Sequence, residues 1–463
     1  MGQYTNINPV TFGTISPQVM TMHQTCSTPT NVETGPVTSQ DLMPLSKISE
    51  EYKARRQNGD FNYRNEKPLE DGGRRIENGL ALWTEINGDK PVSAYSKDDI
   101  ERFKKKLHLL PAHYRKSEKE REAGLTVDDY IKFADDYDKA VAEDIDNEVK
   151  SGELLESEAE IERLERKIKR LGRGTINKHI SALAMVLTYF EDETGQVTFL
   201  RELNKIRYSK DAVRNDPQRF KRSLDDEHLY RLLTSTIFTG VESSKKYYKP
   251  GETIMRNEAL YWGPLLIAFT GERREEAVQI KVTDVLKKEG IWCIRIDAGV
   301  GQSVKNESSK RFVPIPEILI KLGFLEFHKR QKSAGRKLMF PELKLGKNGC
   351  RGDIIGYKFL RMRQEIGLDQ RGCDLHALRH AFCDEALKSG DYYKVMKLLG
   401  HAISGETGQT YAHKDPSMKE LKKIVDKVTY GFEVIDTGRG PLLRPKKARI
   451  KDMDITLPKI IAH

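Results

Sequence analysis

Two β-type runs in a chain otherwise patterned for helices constrain the fold more than any other feature. Ile291 to Ile296 and Arg311 to Ile315 read as strands, bridged by a Ser- and Lys-rich hairpin. Most other periodic segments repeat at three and four residues, the spacing of one face of a helix. The expected fold is mainly α with one small antiparallel sheet.

The helical stripes suggest where domains begin and end. Ser96, followed by Asp98 and Asp99, caps an expected helix that runs through Ile100, Phe103 and Leu107 to Pro111. From Thr126 to Leu171 the chain is densely charged. Within it Ser157 to Glu160 reads as a capping box. Ile161, Leu164, Ile168 and Leu171 follow on one helix face, either a core face or a short coiled-coil contact between protomers. Thr175 is expected to cap a helix that buries Ile176, Ile180, Leu183, Leu187 and Phe190, with Lys178 and His179 on its other faces.

Residues 1–45, rich in Thr, Ser, Pro, Asn and Gln, read as a disordered arm. Residues 46–207 form an expected helical domain with a charged insertion. Residues 208–222, with Lys210, Arg214 and Pro217, read as a basic linker, and residues 223–430 as a second domain. There a helix ends at Phe269, turns at Thr270-Gly271 and restarts at Arg273. Residues 431–463 form a tail carrying Arg444, Lys446, Lys447 and Arg449.

The chain has 463 residues and a net charge of +10. Residues 1–46 hold no Lys or Arg and two acids, Glu33 and Asp41, so the remainder carries +12. That surplus favours a polyanionic partner, nucleic acid first. The cysteines are five and lack metal-type spacing, which points to a reducing cytoplasm with neither a zinc site nor a disulfide framework. No apolar run approaches the roughly 18 residues of a membrane span, and no leader-like pattern is seen, so a soluble, non-exported protein with no membrane partner is expected.

The chemistry concentrates in a few segments. Asp374-Leu375-His376-Ala377-Leu378-Arg379-His380 is followed by Leu399-Gly400-His401 and, ten residues later, by Tyr411. Upstream lies Thr270-Gly271-Glu272-Arg273-Arg274-Glu275-Glu276. Transesterification at a phosphodiester needs a nucleophile, cations on the non-bridging oxygens and an acid for the departing oxygen. Tyr411 is the candidate nucleophile, with His376 and His401 as neighbouring bases. Arg273 and Arg379 suit a phosphate clamp, since a guanidinium stays charged and donates two parallel hydrogen bonds. Glu276, one turn beyond Arg273, is placed to brace it or a histidine. Lys305 in the hairpin is the candidate acid, with Lys310 as its rival, while Arg274 and His380 read as structural.

These segments resemble the tyrosine recombinase, or phage integrase, family. Its TGxRxxE box, lysine hairpin ending in Val-Pro, HxxR box and LGH followed by tyrosine all occur in order, at 270–276, at Lys305 with Val313-Pro314, at 376–379, and at 399–401 with Tyr411. The resemblance covers about Ser223 to Tyr430 and, more loosely, the helical segment around Thr175 to Leu183. It implies a core-binding domain and a catalytic domain closing as a C-shaped clamp on double-stranded DNA, with Arg273, Lys305, His376, Arg379, His401 and Tyr411 as the active site. Lys178, His179, Lys210 and Arg214 are the candidate DNA contacts. No cofactor or metal is implied. The resemblance implies a homotetramer on paired sites, with accessory DNA-bending proteins left open, in a bacterial cytoplasm or nucleoid. The implied activity is site-specific recombination through a 3′-phosphotyrosyl intermediate, for integration or excision of a mobile element. A type IB topoisomerase and a non-catalytic DNA-binding protein of the same fold are the alternatives. The segment 416–428, with Met418, Leu421, Ile424, Val425 and Val428 on one face, is expected to dock on a neighbouring subunit or on its own domain. Two features depart from the family pattern: the interval from His401 to Tyr411 is one residue longer than usual, and residues 115–169 are a large insertion.

Overall fold

The structure, a computed structural model, describes residues 42–58, 73–116, 121–217, 224–304, 307–346, 349–368, 372–401 and 415–446. The chain divides into two compact units, Met1–Arg219 and Phe220–His463. The expected arm lies outside the described residues up to position 41, as does the tail from position 447.

Among its described residues the first unit is helical: α1 (Leu45–Asn58), α2 (Arg74–Asn87), α3 (Lys97–Leu109), α4 (Val127–Ser151), α5 (Glu156–Arg166), α6 (Arg173–Thr194), α7 (Leu200–Lys205) and α8 (Lys210–Arg214). Ser96 caps α3 in a reciprocal box with Asp99, and Ile100, Phe103 and Leu107 are buried as their spacing predicts. Trp83 of α2 and the α6 stripe Ile176, Ile180, Leu183 and Leu187 share that core. Gly79 permits the close α2–α6 contact, because a Cβ there would lie 2.6 Å from the Cβ of Ala182.

Three expectations are corrected in this unit. Helix α6 starts before Thr175, since Gly172 is its N-cap and the Asp216 carboxylate accepts from the Arg173 N–H at 2.6 Å. The segment after 207 is accordingly packed structure rather than a bare linker. Asn177 bridges the backbone N–H and carbonyl of Tyr208, and Arg173 lies over the Tyr208 ring. The Ile161 and Leu164 stripe is no core face, being 59% and 68% exposed. Ala159, Arg163 and Arg166 occupy the opposite side of α5. Ala159 is buried with Val141 and Ile145 of α4, while Arg166 pairs with Glu148 and Arg163 with Asp146. These contacts fix the rotation of the helix, which ends before Ile168 and Leu171. From Val127 to Arg166 there are 15 acids against five bases, so this hairpin repels a phosphate backbone.

The second unit holds α9 (Asp226–Leu233), α10 (Thr236–Thr239), α11 (Ala259–Thr270), α12 (Arg274–Val278), β1 (Val285–Lys288), β2 (Ile291–Ile296), β3 (Arg311–Pro314), α13 (Glu317–Lys321), α14 (Phe324–Ser333), α15 (Gly352–Glu365), α16 (Leu375–Ser389), α17 (Tyr392–Leu399), α18 (Met418–Lys427), β4 (Phe432–Asp436) and β5 (Pro441–Pro445). Every residue of α11 is buried, which makes it the central rod on which α16 packs. The sheet is antiparallel in the order β1-β2-β3, with Ile294 opposite Val313.

Helix α18 packs on its own unit, burying Met418, Leu421, Ile424 and Val425 in the same core as α11 and α16. Tyr430 follows it, and its hydroxyl donates to the Ala268 carbonyl of α11 at 2.7 Å. Residues 432–445, expected as tail, form a hairpin in which Arg444 pairs with Glu433. Arg256 donates to the carbonyls of Arg439 and Pro441 and pins that hairpin to the unit. Among the described residues no helix is long and apolar enough to cross a membrane.

Candidate active site

The site is built from helix ends. Helix α11 stops at Gly271, whose φ of 71° is left-handed and whose Cβ position would lie 2.4 Å from Phe382 and 2.9 Å from Leu399. Only glycine fits both demands. The turn aims the Gly271 carbonyl at Arg379 of α16, which donates to it, and sets Arg273 at the start of α12.

Glu276 is the hub. Its side chain is 2% exposed; Oε1 accepts from Arg273 at 2.6 Å, and Oε2 accepts from the Arg273 backbone N–H and from Arg311, each at 2.9 Å. Arg379 lies 4.0 Å from the same carboxylate. Burial would raise the Glu276 pKa, but Arg311, the Arg273 N–H and the Arg273 guanidinium outweigh it and hold the carboxyl at about 2. It remains an anion that braces cations.

The cations reach across the unit. Arg273 also donates to the Ser309 hydroxyl at 3.1 Å and to the Gly400 carbonyl at 3.3 Å. Arg379 donates to the Leu399 carbonyl at 2.6 Å and meets His401 Nε2 at 3.1 Å. A guanidinium has no lone pair to offer, so Nε2 must be the acceptor and the His401 proton is assigned to Nδ1. Burial, then the repulsion of Arg273 and Arg311, lowers the Arg379 pKa to about 9, which still leaves it charged at neutral pH.

The structure therefore gathers Arg273, Glu276, Arg379 and His401. His376 sits half-buried in the first turn of α16, one turn before Arg379, with its ring centroid 4.9 Å from that of His380. Asp374 caps that helix by accepting from the Ala377 N–H at 3.0 Å. Lys305 and Tyr411 lie outside the described residues. The rival Lys310 pairs with Glu307 at 2.8 Å. Arg274 pairs with Asp353 at 2.6 Å, away from the Glu276 hub. In the first unit Lys178, Lys210 and Arg214 are exposed, whereas His179 is half-buried, with its pKa lowered by that burial. Among the described residues no group of three or more His, Cys, Asp or Glu is arranged to hold a metal.

One member of the cluster is missed by sequence reasoning. The Arg311 side chain is 7% exposed and donates to Glu276, to the Leu398 carbonyl at 2.6 Å and to the Ser309 carbonyl at 2.8 Å. At the head of a predicted strand it reads as an ordinary strand residue. Its signal is its place two residues before the Val313-Pro314 pair, where a charged side chain enters a core.

Residues 249–418 match the model of the phage integrase family. The chain carries a phage integrase family domain. Solved structures similar to it include the Tn1549 transposon integrase in complex with transposon right end DNA, at 15% identity over 81% of this chain and 96% of that one, with a TM-score of 0.46. A lambda integrase tetramer bound to a Holliday junction is 12% identical over 81% of this chain and 84% of that one, with a TM-score of 0.45. XerH bound to palindromic difH substrate is 19% identical over 80% and 92%, with a TM-score of 0.39. No curated protein matches the sequence.

Proposed function

We propose that the chain is a tyrosine recombinase, a site-specific integrase or excisionase of a mobile element that acts on double-stranded DNA by strand transesterification. The observation that carries this reading is the convergence of Arg273 and Arg379, far apart in sequence, on Glu276 and on the turn that holds His401. Two cations held by one buried anion are preorganised for a phosphate and need no rearrangement as charge develops on it.

In the proposed reaction the Tyr411 phenol oxygen attacks the scissile phosphorus, and the bond to the 5′ oxygen breaks. Arg273 and Arg379 hold the non-bridging oxygens. His376, and His401 once its Nε2 is released from Arg379, assist in taking the phenol proton, and Lys305 protonates the departing 5′ oxygen. A 5′ hydroxyl from the partner strand then attacks the 3′-phosphotyrosyl bond and releases Tyr411. One phosphodiester is exchanged for another with no net change in bond count, so no external energy source is required. The capture of Lys310 by Glu307 supports Lys305 as the acid.

Exposed Lys178, Lys210 and Arg214 supply phosphate contacts in the first unit, with His179 the weaker candidate because of its burial. A homotetramer on two paired sites, assisted by accessory DNA-bending proteins, is the proposed assembly, and the bacterial cytoplasm or nucleoid the proposed location. Domain limits of 46–207 for DNA binding and 223–430 for catalysis remain part of the proposal.

The test is covalent trapping on a nicked suicide duplex whose site has been selected from a randomised pool. A DNA adduct with the wild-type chain is expected. Relaxation of a supercoiled plasmid lacking that site, without strand exchange between sites, would favour a topoisomerase instead.

A further inference from the structure

Glu272 occupies the variable position of the TGxRxxE segment, and nothing in the mechanism above uses it. Its residue is 0% exposed, and among the described residues neither carboxyl oxygen has a hydrogen-bond partner. The neighbouring Thr270 hydroxyl donates to the Leu266 carbonyl at 2.6 Å, and its stabilising pull on the Glu272 carboxylate is outweighed by burial. The charged groups that act on it are Arg311 from β3, Glu276 from α12 and Arg379 from α16. A buried carboxyl without partners is costly, and far more so when ionised. Burial pushes its pKa up to about 8 despite the pull of Arg311.

We propose that Glu272 is a positioning residue that sets the charge of the phosphate clamp through its protonation state. As a neutral acid it leaves Arg273, Arg311 and Arg379 against the single anion Glu276, a surplus of two positive charges facing the phosphate. When its proton passes to solvent, the new carboxylate halves that surplus and draws Arg311 and Arg379 inward. The proposal rests on the assignment of Arg273 and Arg379 to phosphate binding.

Single-turnover cleavage of the selected suicide duplex, measured from about pH 6 to about pH 9.5 for the wild-type chain and for Glu272→Gln, tests it. The rate ratio of the variant to wild type should rise roughly tenfold between about pH 7 and pH 9, the equivalent of one pKa unit of interaction. Comparing the two forms cancels the titration of the tyrosine itself. Urea unfolding supplies a second readout. A pKa raised above its unfolded value contributes stability that is present at low pH and lost as pH rises through about 8, so wild type should weaken relative to Glu272→Gln across that range. Glu272→Leu should share the pH shape of the Gln variant even if it folds less well. A flat cleavage ratio overturns the proposal, including the case where only the unfolding difference varies with pH, because the role is then structural. A wild-type chain that forms no adduct at all sinks the recombination reading first, and this proposal with it.

Discussion

Arg379 and His401 meet at 3.1 Å, and the contact joins helix α16 to the turn that ends α17. The same guanidinium holds the carbonyls of Gly271 and Leu399, so one planar cation ties the HxxR helix to both glycine turns of the site. Its fork geometry does this; a point charge on a flexible stem does not.

Arg379→Lys should therefore lower covalent adduct formation by about 100-fold or more, the usual cost of losing a preorganised donor. Non-covalent DNA binding should fall much less. Single-turnover trapping beside gel-shift titration on the same duplex checks the split.

Glu276→Gln should destabilise the chain by about 3–5 kcal/mol at neutral pH, since it leaves Arg273 and Arg311 without the buried anion that compensates them. The carboxyl titrates near 2 when folded, below its ordinary value of 4.5. Its stabilising contribution is thus present above the unfolded value and lost as pH falls through the folded one. The gap between wild type and the Gln variant in urea unfolding should shrink steadily as pH is lowered from 5 toward 2.

Gly271→Ala and Gly290→Ala separate backbone strain from crowding. Both positions have left-handed φ, 71° and 76°, but nothing lies within 4 Å of a Cβ at Gly290, whereas Phe382 and Leu399 fill that space at Gly271. Gly290→Ala should cost about 1–2 kcal/mol from conformation alone. Gly271→Ala should cost clearly more and also reduce cleavage, as read by thermal melting and adduct yield.

Much of this site is legible in the sequence because its motifs lie at helix ends, where spacing fixes geometry. Thr270-Gly271 predicts the turn, and the His376 to Arg379 spacing predicts one helical turn. The strands around Ile294 and Val313 follow from their β-branched runs. What escapes is set by tertiary contact. Arg311 becomes part of the cluster only through Glu276 and two carbonyls from distant segments. The stripe at Ile161 and Leu164 predicts burial, yet Arg163 and Arg166 turn the opposite face toward acidic α4. Residues 208–216 look like a linker until Asn177 and Asp216 are seen tying them to α6.

Replacing Lys178, Lys210 and Arg214 together by Ala should weaken DNA binding about equally on all sequences. The slope of log affinity against log salt should fall by about one for each phosphate contact removed. Titrations between low and physiological salt, on the selected site and on an unrelated duplex, measure both effects.

The most direct test is to digest the trapped adduct with nuclease and protease and sequence the nucleotide-bearing peptide by tandem mass spectrometry. The account predicts a 3′-linked nucleotide on Tyr411 and loss of the adduct in Tyr411→Phe. A nucleotide attached to any other residue, or an adduct that persists in Tyr411→Phe, would contradict it.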